Sequence, residues 1–90
     1  MAVTLHDARY KRLVRLLKEA RESRGLTQDA LGRRLKKSQS YLGKIETYQR
    51  RLDVLEFFDL LEAMEVDAGE FAETAAEAVG RPRRGRRSDG

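Results

Sequence analysis

The apolar spacing between Thr27 and Glu46 constrains this chain more than any other feature. It admits two short helices joined by a tight turn. Thr27 and Ser38 are both suited to the N-cap position, where a side-chain oxygen accepts a first-turn backbone N–H. Ala30, Leu31 and Leu35 fall on one helical face, and Leu42 and Ile45 form a second inward pair three residues apart. Lys36 and Lys37 fit the connection. Gln39, Ser40, Gly43 and Lys44 are left pointing outward from the second helix, with Tyr41 at its edge. That face offers amides, hydroxyls and one ammonium, groups able to hydrogen-bond to base edges and phosphates.

The rest of the chain is organised around this pair. Asp7 is positioned to cap a long helix running to about residue 24. Tyr10, Leu13, Val14, Leu17 and Ala20 form its buried stripe, Leu16 widens that stripe, and Arg9, Arg12, Arg15 and Lys18 line the other side. Gly25 supplies a left-handed C-cap. Residues 47–51 carry no helical stripe and read as a loop. Asp53 with Glu56 makes a capping box that opens a fourth helix. Its core candidates are Leu55, Phe58, Leu61 and either Ala63 or Met64, with Val54, Phe57 and Leu60 extending the apolar surface. Asp67 with Glu70 repeats the pattern for a fifth helix, turning Phe71, Ala75 and either Ala78 or Val79 inward until Gly80 and Pro82 end it. The expected fold class is all-α with five helices. The expected organisation is one domain over residues 1–80 and a tail over 81–90 that has no apolar residue to bury and is expected to be disordered.

Ninety residues at 40% hydrophobic content support one small domain with a modest core. Charge is distributed in blocks. Residues 1–51 carry 14 Lys+Arg against 5 Asp+Glu, residues 52–80 carry 9 Asp+Glu and no Lys or Arg, and residues 81–90 carry 5 Arg and 1 Asp. A basic block that contains the helix pair is the footprint of a phosphate-binding surface; solvated helix faces are the plainer alternative. The absence of cysteine rules out disulfides and thiolate metal sites and suits a reducing compartment, so a cytoplasmic location is expected. The apolar runs are too short for a membrane-spanning helix or a secretory signal.

Two helices, a short turn and a polar outer face describe a helix-turn-helix. At Gly25-Leu26-Thr27-Gln28, followed by Leu31, Ser38, Tyr41-Leu42 and Ile45-Glu46, the chain resembles the phage repressor and Cro (XRE) family of five-helix DNA-binding domains, over roughly residues 10–73. The resemblance implies a helix-turn-helix at helices 2 and 3. Gln39, Ser40 and Lys44 would then face the major groove, and Tyr41 would sit between groove and phosphate. Gln28 would bond a backbone phosphate from a helix N-terminus, and Ser38 would cap the recognition helix and touch phosphate as well. Lys36, Lys37, Arg50 and Arg51 are further phosphate candidates. Arg21 and Glu46 match the family's buried ion pair and are structural in this reading. The chain departs from the family pattern at two glycine places, occupied here by Lys36 and Tyr48. Either residue held at positive φ costs about 1–2 kcal/mol, so a strained turn at Lys36, or one built differently, is expected. The 47–51 loop is expected to take another path. Gly32 holds the small position facing the second helix.

The function these observations imply is a sequence-specific double-stranded DNA-binding regulator, a repressor acting as a homodimer on a near-palindromic operator. Phe57, Leu60, Met64 and Phe71, with Val54 and Val66, are the candidates for the dimer contact, or alternatively for the monomer core. The second reading is a protein-interaction adaptor, antitoxin-like, that docks a basic partner through acidic residues 52–80. The arginine tail could grip phosphates or a minor groove, attract the acidic block, or do neither. His6 is the only histidine, and there is no Gly-rich phosphate loop. Neither an enzyme nor a cofactor or metal site is expected.

Overall fold

The structure, a computed structural model, describes residues 7–80. Within them the chain forms five helices and no strand: α1 (Ala8–Ser23), α2 (Gln28–Arg34), α3 (Gln39–Glu46), α4 (Val54–Ala63) and α5 (Ala68–Val79). The all-α, five-helix expectation therefore holds. No helix among the described residues is long and apolar enough to cross a membrane. His6 and the tail expected at 81–90 lie outside the described residues.

Each helix starts where a capping residue permits. Asp7 accepts the Arg9 N–H at 2.8 Å, Thr27 that of Ala30 at 3.0 Å, Asp53 that of Glu56 at 2.7 Å, and Asp67 that of Glu70 at 2.9 Å. At α4 the Glu56 carboxylate also takes the Asp53 N–H at 3.0 Å, completing the expected capping box. Ser38 holds the extended backbone of an N-cap but makes no side-chain capping bond.

The helix ends share one device. After α1, α2, α3 and α4 the chain closes with a paired 6→1 and 5→2 hydrogen bond, the Schellman arrangement: Leu26 to Arg21 with Gly25 to Glu22, Lys37 to Gly32 with Lys36 to Arg33, Gln49 to Lys44 with Tyr48 to Ile45, and Val66 to Leu61 with Glu65 to Glu62. The residue between the two bonds must be left-handed. Gly25 meets this at φ 71°, whereas Lys36, Tyr48 and Glu65 meet it at 58°, 63° and 59° without glycine's freedom. The α2–α3 turn and the loop after α3 thus keep the left-handed geometry despite their side chains. The different path expected for the second is not taken. A left-handed L-residue costs about 1–2 kcal/mol, offset here by the orphan carbonyls each turn satisfies.

The core draws on every helix: Val14 and Leu17 from α1, Leu31 from α2, Tyr41, Leu42 and Ile45 from α3, Leu60 and Leu61 from α4 with Met64 at its C-cap, Phe71 and Ala75 from α5. α1 packs against α3 and α5, and α2 lies on α3. A Cβ on Gly32 would stand 3.3 Å from the Ser38 carbonyl oxygen, a tight contact, so the close approach of the turn favours the small residue expected there. Two of the ties between elements hold the two ends of α4. The Tyr10 hydroxyl accepts the Leu52 N–H at 3.0 Å, and Arg34 donates to the Ala63 carbonyl at 2.6 Å, satisfying the last open carbonyl of α4.

The rotation of α4 differs from expectation. Leu55 and Phe58, read as core, are 74% and 50% exposed. Leu60, Met64 and, on α5, Phe71 are instead buried in the monomer, and Phe57 is half-buried against Phe71 with ring centroids 5.8 Å apart. Three of the four dimer-contact candidates are therefore buried in the monomer core, and Phe57 packs partly against it. α4 carries apolar residues at 54, 55, 57, 58, 60, 61 and 64, more than one helical face can hold. The face containing Leu60, Leu61 and Met64 is turned into the core, where Leu60 and Met64 meet Val14, Leu17, Leu31, Leu42 and Ile45, while Phe57 meets Phe71 of α5.

Candidate nucleic-acid interface

α3 is held from inside by a buried ion-pair network. Arg21 Nε donates to Glu46 Oε2 at 2.7 Å and Arg21 Nη2 to Glu46 Oε1 at 3.0 Å, with the two side chains 8% and 5% exposed. Arg21 Nη1 donates to the Leu26 carbonyl at 2.7 Å. The expected tie between α1 and the end of α3 is therefore formed. Gln28 joins it, its Nε2 donating to Glu46 Oε1 at 2.8 Å. The Gln28 amide nitrogen, expected on a phosphate, is turned inward because a dry carboxylate needs every donor it can get.

The outer side of α3 is open. Ser38, Gln39, Ser40 and Lys44 are exposed, as are Lys36 and Lys37 in the turn and Arg51 in the following loop. Gln28, Ser38, Gln39, Ser40 and Gly43 line a shallow groove across this side. The Ser38 and Ser40 hydroxyls stand 3.3 Å apart.

Two further expected contact residues, besides Gln28, are placed differently. Tyr41 belongs to the core at 8% exposure, not to the edge of the polar face. Burial of the phenol, with the Glu56 carboxylate beside it, pushes its pKa up to about 12. The Tyr41 ring is a platform for cations: the Arg50 guanidinium lies 4.9 Å and Lys37 Nζ 5.3 Å from its centroid. Arg50, expected to reach phosphate, instead forks onto Glu56, with Nη1–Oε1 at 3.0 Å and Nη2–Oε2 at 2.8 Å. That bond, with the Asp53 N–H, holds the Glu56 carboxyl down at about 2. Arg50 thereby clamps the loop after α3 to the start of α4. Sequence reading missed this clamp because Glu56 was already explained by its capping box. The Arg34 tie to α4 has no sequence signal.

The exposed apolar residues at the start of α4 form a second feature. Val54, Leu55 and Phe58 are 67%, 74% and 50% exposed, and their positions put them close together on the first turns of one helix. The surplus of apolar residues in α4 was the visible signal; of the residues it singled out for a contact surface, Val54 is exposed, and Leu55 and Phe58 join it.

A short helix pair, a left-handed turn between them and an open polar face on the second helix define a helix-turn-helix domain. A helix-turn-helix family model matches residues 17–71. The chain belongs to that family, in its XRE branch. An XRE-family-like protein from Pseudomonas syringae pv. tomato str. DC3000 is 40% identical with a TM-score of 0.75, over 80% of this chain and 88% of that one. The restriction-modification controller protein C.Esp1396I shares the fold at 20% identity: its tetramer with its natural 35 base-pair operator aligns at TM-score 0.75 over 82% of this chain and 97% of that one. Its wild-type structure aligns at 0.76 with the same coverage. No curated protein sequence matches.

Proposed function

We propose that this chain is a transcriptional regulator that binds a particular double-stranded DNA sequence, acting as a repressor by occupying a near-palindromic operator as a dimer. The observation that carries this reading is the outer side of α3. Ser38, Gln39, Ser40 and Lys44 are exposed together on a helix whose inner side is fixed by the core and by the Arg21–Glu46–Gln28 network. A helix so anchored presents its side chains rigidly, as readout of base edges requires. Gln39, Ser40 and Lys44 take the base-reading role, and Lys36, Lys37, Ser38 and Arg51 the phosphate role. Tyr41 and Arg50 support the face from behind. The operator-bound tetramer of C.Esp1396I supports DNA binding and self-association in a relative of the same fold.

A lone module of this kind buries roughly 600–1,000 Å² on DNA, and two recognition helices about 34 Å apart double the sequence that is read. Val54, Leu55 and Phe58 are the surface proposed for that self-association, in place of the buried candidates. An adaptor docking a different protein draws on the same three residues, so the test separates the two. Selection of bound duplexes from a random library should return an inverted repeat, and Gln39→Ala should change the preferred bases. Phe58→Asp should leave the melting temperature within about 2 °C, because the side chain is half exposed, while converting the dimer to a monomer in sedimentation and weakening operator binding. Recovery of a single unrepeated site, with sedimentation unaffected by Phe58→Asp, excludes the dimer. Recovery of no preferred sequence excludes the regulator and favours the adaptor.

A further inference from the structure

Gly43 is a glycine inside α3 that the packing of the fold does not explain. It is the fifth of the helix's eight residues, a place where glycine is less favourable than alanine by its extra backbone freedom in the unfolded chain. Two other glycines have structural reasons: Gly25 is left-handed at φ 71°, and a Cβ on Gly32 would press on the Ser38 carbonyl at 3.3 Å. Gly43 has neither. Its backbone is helical, and a Cβ built on it would meet only Gln28 Oε1, at 3.6 Å, an ordinary van der Waals contact. The protein itself has room for alanine.

The missing Cβ instead shapes the outer surface. Gly43 lies one turn below Gln39 and beside Ser40 in the groove lined by Gln28, Ser38, Gln39, Ser40 and Gly43. No cation lines this groove. Because the Gln28 amide nitrogen is bonded to Glu46, the atom Gln28 turns toward Gly43 is its carbonyl oxygen. A phosphate would meet an acceptor and no counter-charge there. The bare Cα of Gly43 suits a small apolar group, and the apolar group that projects into the major groove is the thymine 5-methyl.

We propose that Gly43 is a specificity-determining residue: the notch left by its missing side chain receives a thymine methyl while Gln39 reads a neighbouring base. This rests on α3 being the base-reading helix. The test uses the full chain and the best duplex selected from a random library, with each thymine replaced in turn by deoxyuridine, which keeps the base pair and removes only the methyl. Wild-type affinity should fall about fourfold, the worth of burying one such carbon, at one thymine in each half-site. Gly43→Ala should be indifferent to uridine at that position, bind scrambled duplex as the wild type does, and melt about 2–6 °C higher. A wild-type uridine scan with no loss above twofold overturns the proposal, as does an unchanged scan in Gly43→Ala. So does a variant that loses scrambled and selected DNA equally, since that marks a phosphate approach. If the selection returns no preferred duplex, the failure lies with base reading by α3 as a whole.

Discussion

The end of α3 and the loop beyond it are each tied by an arginine forked onto a glutamate, Arg21 of α1 onto Glu46 and Arg50 onto Glu56 of α4, with similar bond lengths and different surroundings. Arg21 and Glu46 are sealed at 8% and 5% side-chain exposure, and Gln28 and the Leu26 carbonyl complete their hydrogen bonding. Arg50 and Glu56 sit at the rim at 39% and 16%, with the Tyr41 ring behind the guanidinium. The inner pair fixes where α3 lies, and once desolvated it cannot lose one member cheaply. The outer pair sets the path of the loop and, being partly wet, contributes little net stability. Bond length does not distinguish them; water does.

Breaking the inner pair should have the largest effect. Glu46→Ala leaves Arg21 charged and dry, at a cost of about 3–5 kcal/mol, and urea unfolding should show most or all of the domain's stability gone. A loss below about 1 kcal/mol would mean that water reaches Arg21 after all. Arg50→Ala should cost no more than about 1 kcal/mol in the same assay. The contrast between the two variants, more than either value, measures the difference between the sites.

Acid sharpens the comparison. Glu56 titrates near 2 in the folded chain against an ordinary 4.5, because Arg50 and the Asp53 N–H hold its charged form. A depressed carboxyl favours the fold wherever the unfolded chain would bind the proton first. Its contribution is therefore complete above about pH 4.5 and is lost as pH falls toward 2. In Glu56→Gln the decline in melting temperature across that window should be shallower than in the wild type. Parallel curves would place the acid sensitivity elsewhere.

The smallest effect concerns the two left-handed side chains that flank α3. Lys36 is exposed, so Lys36→Gly removes backbone strain at little packing cost and should raise stability by about 0.5–1 kcal/mol, net of the added freedom of the unfolded chain. Tyr48 is half-buried, with Lys11 Nζ 5.1 Å from its ring centroid. Tyr48→Gly gives up that contact and should bring no gain. Equal gains in calorimetry would show that the Tyr48 ring contributes nothing to the packing.

What could be read from the chain follows the same divide between local and tertiary causes. The caps at Asp7, Thr27, Asp53 and Asp67 and the stop at Gly25 were legible because each depends on a few neighbouring residues. The Arg21–Glu46 pair was legible only through the family resemblance, since it spans 25 positions. The face of α4 was not legible. With Val54, Leu55, Phe57, Phe58, Leu60, Leu61 and Met64 in and next to one helix, periodicity fits two overlapping stripes, and packing against the other helices decides between them. Tyr41 and Arg50 were misplaced for a related reason. A phenol and a guanidinium suit a DNA surface chemically, but here the ring fills the core and the cation finds Glu56. Lys36 and Tyr48 show the converse, where four similar hydrogen-bonded helix ends override the preference of a single residue.

The most direct test of the central claim is an anisotropy titration at about 0.15 M salt, comparing the library-selected duplex with a scrambled duplex of the same composition. A helix anchored by Glu46 and reading bases through Gln39 and Ser40 should bind the selected duplex at least about 10³-fold more tightly. Replacing Lys36 with alanine should lower the log–log salt slope by about one without changing the preferred sequence. Equal affinity for the two duplexes would contradict base reading by α3.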